Sequence, residues 1–236
     1  GIDMSMTPMD ANFADHVVAL VEEGRLTEDR INESVRRILA LKMELGLFEQ
    51  TLPPGEIVAT IGSAESQAIS LNAAREGITL LRNRNGILPL AESSQILVTG
   101  PTSDELMSLH GAWSYSWQGN EPALYPDSPT IADAITARFG ETSVSYFPGA
   151  SFDETIEIDA VLEAASSSDV VVLCLGEPPS TEEPGDIDDL TISAAQIELA
   201  QAIAETGTPV VLVLITNRPR IITAFEADMT GILWAG

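Results

Sequence analysis

Residues 170–176 read VVVLCLG and residues 210–215 read VVLVLI, two runs with no polar position from which to build a solvated face. A strand with one wet face alternates apolar and polar residues, whereas a continuous apolar run of this length marks a strand covered on both faces of a mainly parallel sheet. Working outward, the pattern predicts helix over 64–82, strand over 96–99, helix over 130–139, a short strand over 143–147 and helix over 155–165. After the strand at 170–175 come a helix over 193–205, a strand over 209–215 and a last strand over 231–234. The fold class is α/β, because helix and strand alternate. In such sheets the ligand sits beyond the carboxyl ends of the strands. The loop over 176–190 occupies that place and carries Glu177, Glu182, Glu183, Asp186, Asp188 and Asp189.

Upstream, TEDRINESVRRILALKMELGLFE starts a helix at residue 27. Thr27 is the N-cap, Glu28 and Asp29 suit the positive helix end, Ile31, Val35, Ile38 and Leu45 form one stripe, and Gly46 stops it. A shorter helix over 12–23 precedes it and ends at Gly24, and the Pro-Pro-Gly break at 53–55 reads as a linker spanning 48–62. A second domain then runs over 63–236.

Composition narrows the function. The chain has 236 residues, 44% hydrophobic, with 11 Lys+Arg against 36 Asp+Glu and a net charge of −25. Such a charge repels nucleic acid and anionic membranes, and it favours solubility in a saline, periplasmic or secreted setting. Cys174, inside an apolar run, reads as a buried small hydrophobe. One cysteine and two histidines, His16 and His110, make no zinc cluster. The acidic loop lacks calcium-loop spacing, and no Gly-rich phosphate cradle follows a strand. No metal, cofactor, membrane span or signal peptide is expected.

A second unusual stretch, HGAWSYSWQGN at 110–120, gathers Trp113, Tyr115 and Trp117. Trp113 is either an anchor folded onto the core or a site aromatic. Trp117, beside Gln118 and Asn120, reads as an exposed platform, since sugar C–H faces pack on indole while amides bond hydroxyls. The acidic loop is either a solvated connection or the source of a catalytic acid.

GIDMSM, GRLTEDRINESVRRILALKMELGLFE, NAAREGITLLRNRNGILPL, GAWSYSWQGN and GEPPSTEEPGD occur in the order that resembles glycoside hydrolase family 3, chiefly its β-glucosidase and exo-β-glucanase members. The resemblance implies a (β/α)8 barrel followed by an α/β sandwich. Residues 1–47 would be the C-terminal end of the barrel, with its last strand and helices, and 63–236 a sandwich truncated at its C-terminus. It implies Glu182 as general acid/base, with Glu177 the alternative, and Trp117, Trp113 and Met6 in the sugar subsites. Met6 is equally readable as a barrel packing residue, and Asp3 as structural. The family's GRP segment is NRP at 217–219, a departure expected to affect a turn rather than chemistry. The nucleophile would be an Asp in a motif resembling SDW, which this sequence lacks.

The implied reaction is retaining hydrolysis releasing terminal glucose from β-glucosides or short β-glucans, which needs two carboxyls roughly 5 Å apart. Acidic neighbours and partial burial would help the acid keep its proton. The isolated chain is expected to be inactive, and its partners would be β-linked oligosaccharides, the missing barrel portion or a second copy. The rival readings are a non-catalytic carbohydrate-binding or structural α/β domain, and a β-xylosidase or β-N-acetylglucosaminidase of the same family. A sandwich-borne acid loop argues against the last.

Overall fold

The computed structural model describes residues 2–7, 9–50, 52, 54–125 and 128–236. They form two compact units, one up to Ala68 and one over Ile69–Gly236.

The first unit holds α1 (Asn12–Glu22), α2 (Glu28–Glu44) and a 3-10 turn at Gly55–Thr60. Thr27 caps α2, its hydroxyl accepting from the Arg30 N–H. Neither helix buries a residue, and on the apolar stripe of α2 Ile31 and Ile38 are half-buried while Val35 is 44% and Leu45 63% exposed. Asp3 is structural here. Its Oδ1 accepts from Ser34 Oγ at 2.8 Å and from Arg37 Nη1 at 2.9 Å, tying the N-terminal segment to α2.

The Ser34 hydroxyl, and after it Arg37, hold the Asp3 carboxyl below its ordinary value against partial desolvation. A carboxyl whose folded pKa is depressed adds stability above its unfolded pKa, and loses it as pH falls through the folded value. Asp3→Asn should therefore lower the melting temperature at neutral pH and cost nothing once both forms are uncharged in strong acid. Equal costs at both pH values would show that the carboxylate charge is not what matters.

The second unit takes the end of α3 (Ala64–Gly77) and then β1 (Thr79–Asn83). Here the expected helix over 64–82 is too long. It stops at Gly77, and the β-branched pair Ile78 and Thr79 opens an edge strand antiparallel to β6. Next come β2 (Ile96–Thr99), α4 (Met107–His110), α5 (Ile131–Phe139) and β3 (Val144–Tyr146). Then follow α6 (Ile158–Ser166), β4 (Val170–Gly176), α7 (Ala194–Glu205), β5 (Val210–Ile215) and β6 (Gly231–Ala235).

The sheet order is β1-β6-β5-β4-β2-β3, parallel except for β1. Alternate side chains sort to two faces. Leu97, Val171, Leu173, Leu175 and Leu212 pack with Val161 of α6 and Leu199 and Ile203 of α7. Ile96, Val98, Val172 and Cys174 pack with Ala132 and Ile135 of α5. Both faces are covered, as the apolar runs required, and each buried Leu or Val stabilises the domain by about 1.5–3 kcal/mol. Burial pushes the Cys174 thiol up to about 12, so it behaves as a small hydrophobe.

From β2 the chain moves outward to β3, then returns to lay β4 on β2's other side and continues through β5 and β6. The order thus reverses between β2 and β4, the crevice where α/β sheets bind ligands. The aromatic loop follows β2 and the acidic loop follows β4, so topology places both at that reversal. Among the described residues no helix is long and apolar enough to cross a membrane, and no three His, Cys, Asp or Glu side chains cluster to hold a metal.

Candidate active site

The acidic loop leaves β4 under tight constraint. A Cβ on Gly176 would lie 1.9 Å from the Ile215 carbonyl, so only glycine fits where the loop begins. Buried Gln196, from the first turn of α7, donates to the Gly176 carbonyl at 3.0 Å and accepts from its N–H at 2.9 Å.

Glu177 follows, 8% exposed. Arg220 Nη1 donates to its Oε2 at 2.6 Å, the Asn217 N–H donates to its Oε1 at 2.9 Å, and Arg218 Nε lies 3.6 Å away. These two arginines also grip the loop itself. Arg218 Nη1 donates to the Gly185 carbonyl at 2.7 Å, while Arg220 donates to the Leu190 and Thr191 carbonyls at 3.0 and 2.7 Å. Asn217 Nδ2 donates to the Pro178 carbonyl at 3.0 Å. The NRP segment, expected to matter only to a turn, is therefore a scaffold for the acidic loop. Glu177 is its buried counterion, with both carboxylate oxygens engaged by Arg220 and the Asn217 N–H.

Glu182 is the opposite case. It is exposed, and its Oε2 accepts from Trp117 Nε1 at 3.1 Å. Its Oε1 makes no hydrogen bond among the described residues. One carboxylate oxygen is thus oriented and the other is open, which a proton donor to an incoming group requires. Glu183, Asp186, Asp188 and Asp189 are all exposed. Asp189 is held below its ordinary value by hydrogen bonds from Thr191, first from the backbone N–H and then from the side chain. It is a stable negative charge within the loop.

The aromatic loop is shaped by two positive-φ residues, Trp113 and Tyr115, both at 61°. The Trp113 N–H donates to the Trp117 carbonyl at 3.0 Å, closing the turn. At its neck a Cβ on Gly119 would meet the Gly111 carbonyl at 2.4 Å. Tyr125 Oη donates to the Gly119 carbonyl at 2.6 Å, and the Tyr115 ring packs edge to face with those of Tyr125 and His110, which are tilted against each other. Trp113 is 67% and Trp117 47% exposed, so neither is a core anchor.

Glu182, Trp117 and Trp113 therefore lie in the second unit, with Glu182 and Trp117 in direct contact. Met6 lies in the first unit, 91% exposed. A cavity of about 470 Å³ at the carboxyl ends of β5 and β6 is lined by Ile78, Leu109, Thr216 and Asn217, but not by Glu182 or Trp117. Glu182 and Trp117 are instead both exposed on the surface. Sequence reading missed Gln196, Arg218 and Arg220. A signal existed for the last two, since they are the only basic residues after Arg138 in a chain with 36 acidic ones.

Residues 78–236 match the C-terminal domain of glycosyl hydrolase family 3. The chain is 41% identical over 234 residues to a lysosomal β-glucosidase of Dictyostelium discoideum, covering 94% of this chain and 28% of that protein. It is 33% identical to a β-xylosidase of Formosa agariphila, covering 87% of this chain and 30% of that one. A crystal structure of β-glucosidase from Listeria innocua in complex with glucose superposes with a TM-score of 0.86 at 29% identity, over 99% of this chain and 31% of the other. The chain spans about a third of the length of these relatives.

Proposed function

Because the chain belongs to glycosyl hydrolase family 3, we propose that it serves a β-glucosidase or exo-β-glucanase, supplying the acid/base and part of the sugar subsites. The observation that carries this reading is the contact between an exposed carboxyl, Glu182, and an exposed indole, Trp117, on the rim of the sheet's reversal point.

Trp117 spends its only donor on Glu182 and keeps a ring face for the C–H surface of a sugar. A saccharide on that face has its glycosidic oxygen near Glu182. The carboxyl protonates that oxygen as the bond breaks, and its carboxylate then takes a proton from the water that releases the sugar. The attacking carboxylate comes from a barrel outside this chain. The uncovered apolar stripe of α2 supports such a barrel, since Val35 and Leu45 call for an apolar partner surface.

Two experiments bear on this. The full-length enzyme should hydrolyse 4-nitrophenyl β-glucoside faster than the β-xyloside, while the 236-residue polypeptide alone should not exceed a Glu182→Ala control. Faster xyloside turnover would favour the β-xylosidase reading suggested by the Formosa relative. No turnover by the full-length protein on any β-glycoside would leave a non-catalytic domain. Trp117→Ala in the full-length enzyme should weaken disaccharide binding by about 1–3 kcal/mol with little change in melting temperature, since the ring stacks on ligand rather than core. A large melting-temperature drop with unchanged affinity would make the ring a structural anchor instead.

A further inference from the structure

We propose that Gln118 is a positioning residue for Glu182, fixing the backbone that aims the acid; this rests on the acid/base reading of Glu182. Gln118 Nε2 donates to the Thr181 carbonyl at 3.1 Å, and its Oε1 accepts from the Thr181 N–H at 3.0 Å. Both backbone polar groups of the residue preceding Glu182 are thus held by one side chain.

The grip matters because of what comes next. Glu182 has φ 53° and ψ −154°, at the margin of a region that is almost exclusively glycine's. A residue with a Cβ stays there only when its surroundings over-determine it. An exposed loop has no core to do so, and its peptide groups could otherwise turn to water. On the far side of Glu182 its carbonyl accepts from the Gly185 N–H at 2.8 Å, and Arg218 holds the Gly185 carbonyl at 2.7 Å and Ser180 Oγ at 3.2 Å. Gln118 is the opposing jaw, and it is itself fixed by the crowded Gly119 neck and the Tyr125 hydroxyl.

Its neighbour Trp117 holds the Glu182 carboxylate directly. Two adjacent residues of one rigid loop thus fix the backbone of Glu182 and its carboxyl oxygen together, setting both position and direction. A proton donor needs both, because a displacement of about 1 Å can cost on the order of a hundredfold in rate.

The test uses Gln118→Met, which keeps length and removes the amide, in the full-length enzyme. Hydrolysis of cellobiose or laminaribiose, whose leaving groups need protonation, should fall by roughly tenfold or more while dinitrophenyl β-glucoside turnover changes by less than about twofold. Because the carboxylate is retained, azide should give no glucosyl azide. A structural readout runs in parallel. Glu182→Gly should melt a few degrees above Glu182→Ala with Gln118 intact, and that gap should close with Gln118→Met. Equal losses on both substrates, wild-type kinetics, or an unchanged gap would each overturn the proposal. If Glu182→Ala itself shows no leaving-group dependence, the acid assignment fails, while the melting comparison still decides whether Gln118 holds that backbone.

Discussion

Glu182→Ala in the full-length enzyme is expected to slow hydrolysis of cellobiose or laminaribiose by about 10²–10⁴-fold, yet to leave dinitrophenyl β-glucoside cleavage far less affected. An activated phenolate departs without a proton, whereas a sugar alkoxide does not, so the deficit scales with the basicity of the leaving group. In a retaining mechanism the covalent glucosyl intermediate would then accumulate, because no base remains to activate water. Added azide needs no base. It should restore turnover and yield β-glucosyl azide, detectable by mass spectrometry. Removing the carboxylate vacates the position beside Trp117 Nε1 that its Oε2 fills, which gives such an anion room and a hydrogen-bond donor. Azide product from Glu177→Ala instead of Glu182→Ala would reassign the acid.

Glu177→Ala should behave in the opposite way. Glu177 and Arg220 have side chains only 9% and 12% exposed, so removing the carboxylate leaves a largely buried guanidinium without its partner. Breaking one side of a buried pair costs about 3–5 kcal/mol, and this site falls at the lower end because Arg220 keeps two carbonyl acceptors. Thermal unfolding of this domain should therefore shift down sharply. Rates on good and poor leaving groups should drop together at most, with no azide adduct. A Glu177→Ala protein that melts like wild type would remove the structural role.

The central strands were legible because a seven-residue apolar run has few other uses, and the cores on either side of β4 contain those residues. β1 was not, since NAAREGITLLRN carries helical spacing up to its glycine and only pairing with β6 reveals the edge strand. The aromatic and acidic loops could be named from composition. What joins them could not. Gln118 and Thr181 lie 63 positions apart and Glu177 and Arg220 43 apart, so contacts at those separations follow from topology rather than local pattern. Glu177 and Glu182 are both glutamates of one loop, and only burial separates a counterion from a candidate acid.

The two ends of the sheet carry a last implication, for self-association. A strand lying open along its length offers a ladder of unpaired peptide groups that another chain can extend. Here one border strand, β3, has only three residues, and the other, β1, is interrupted by a bulge between Leu80 and Arg82, with Arg82 engaged by Glu226. Neither border presents a long regular template. Edge-to-edge addition of a second chain is therefore disfavoured at both borders.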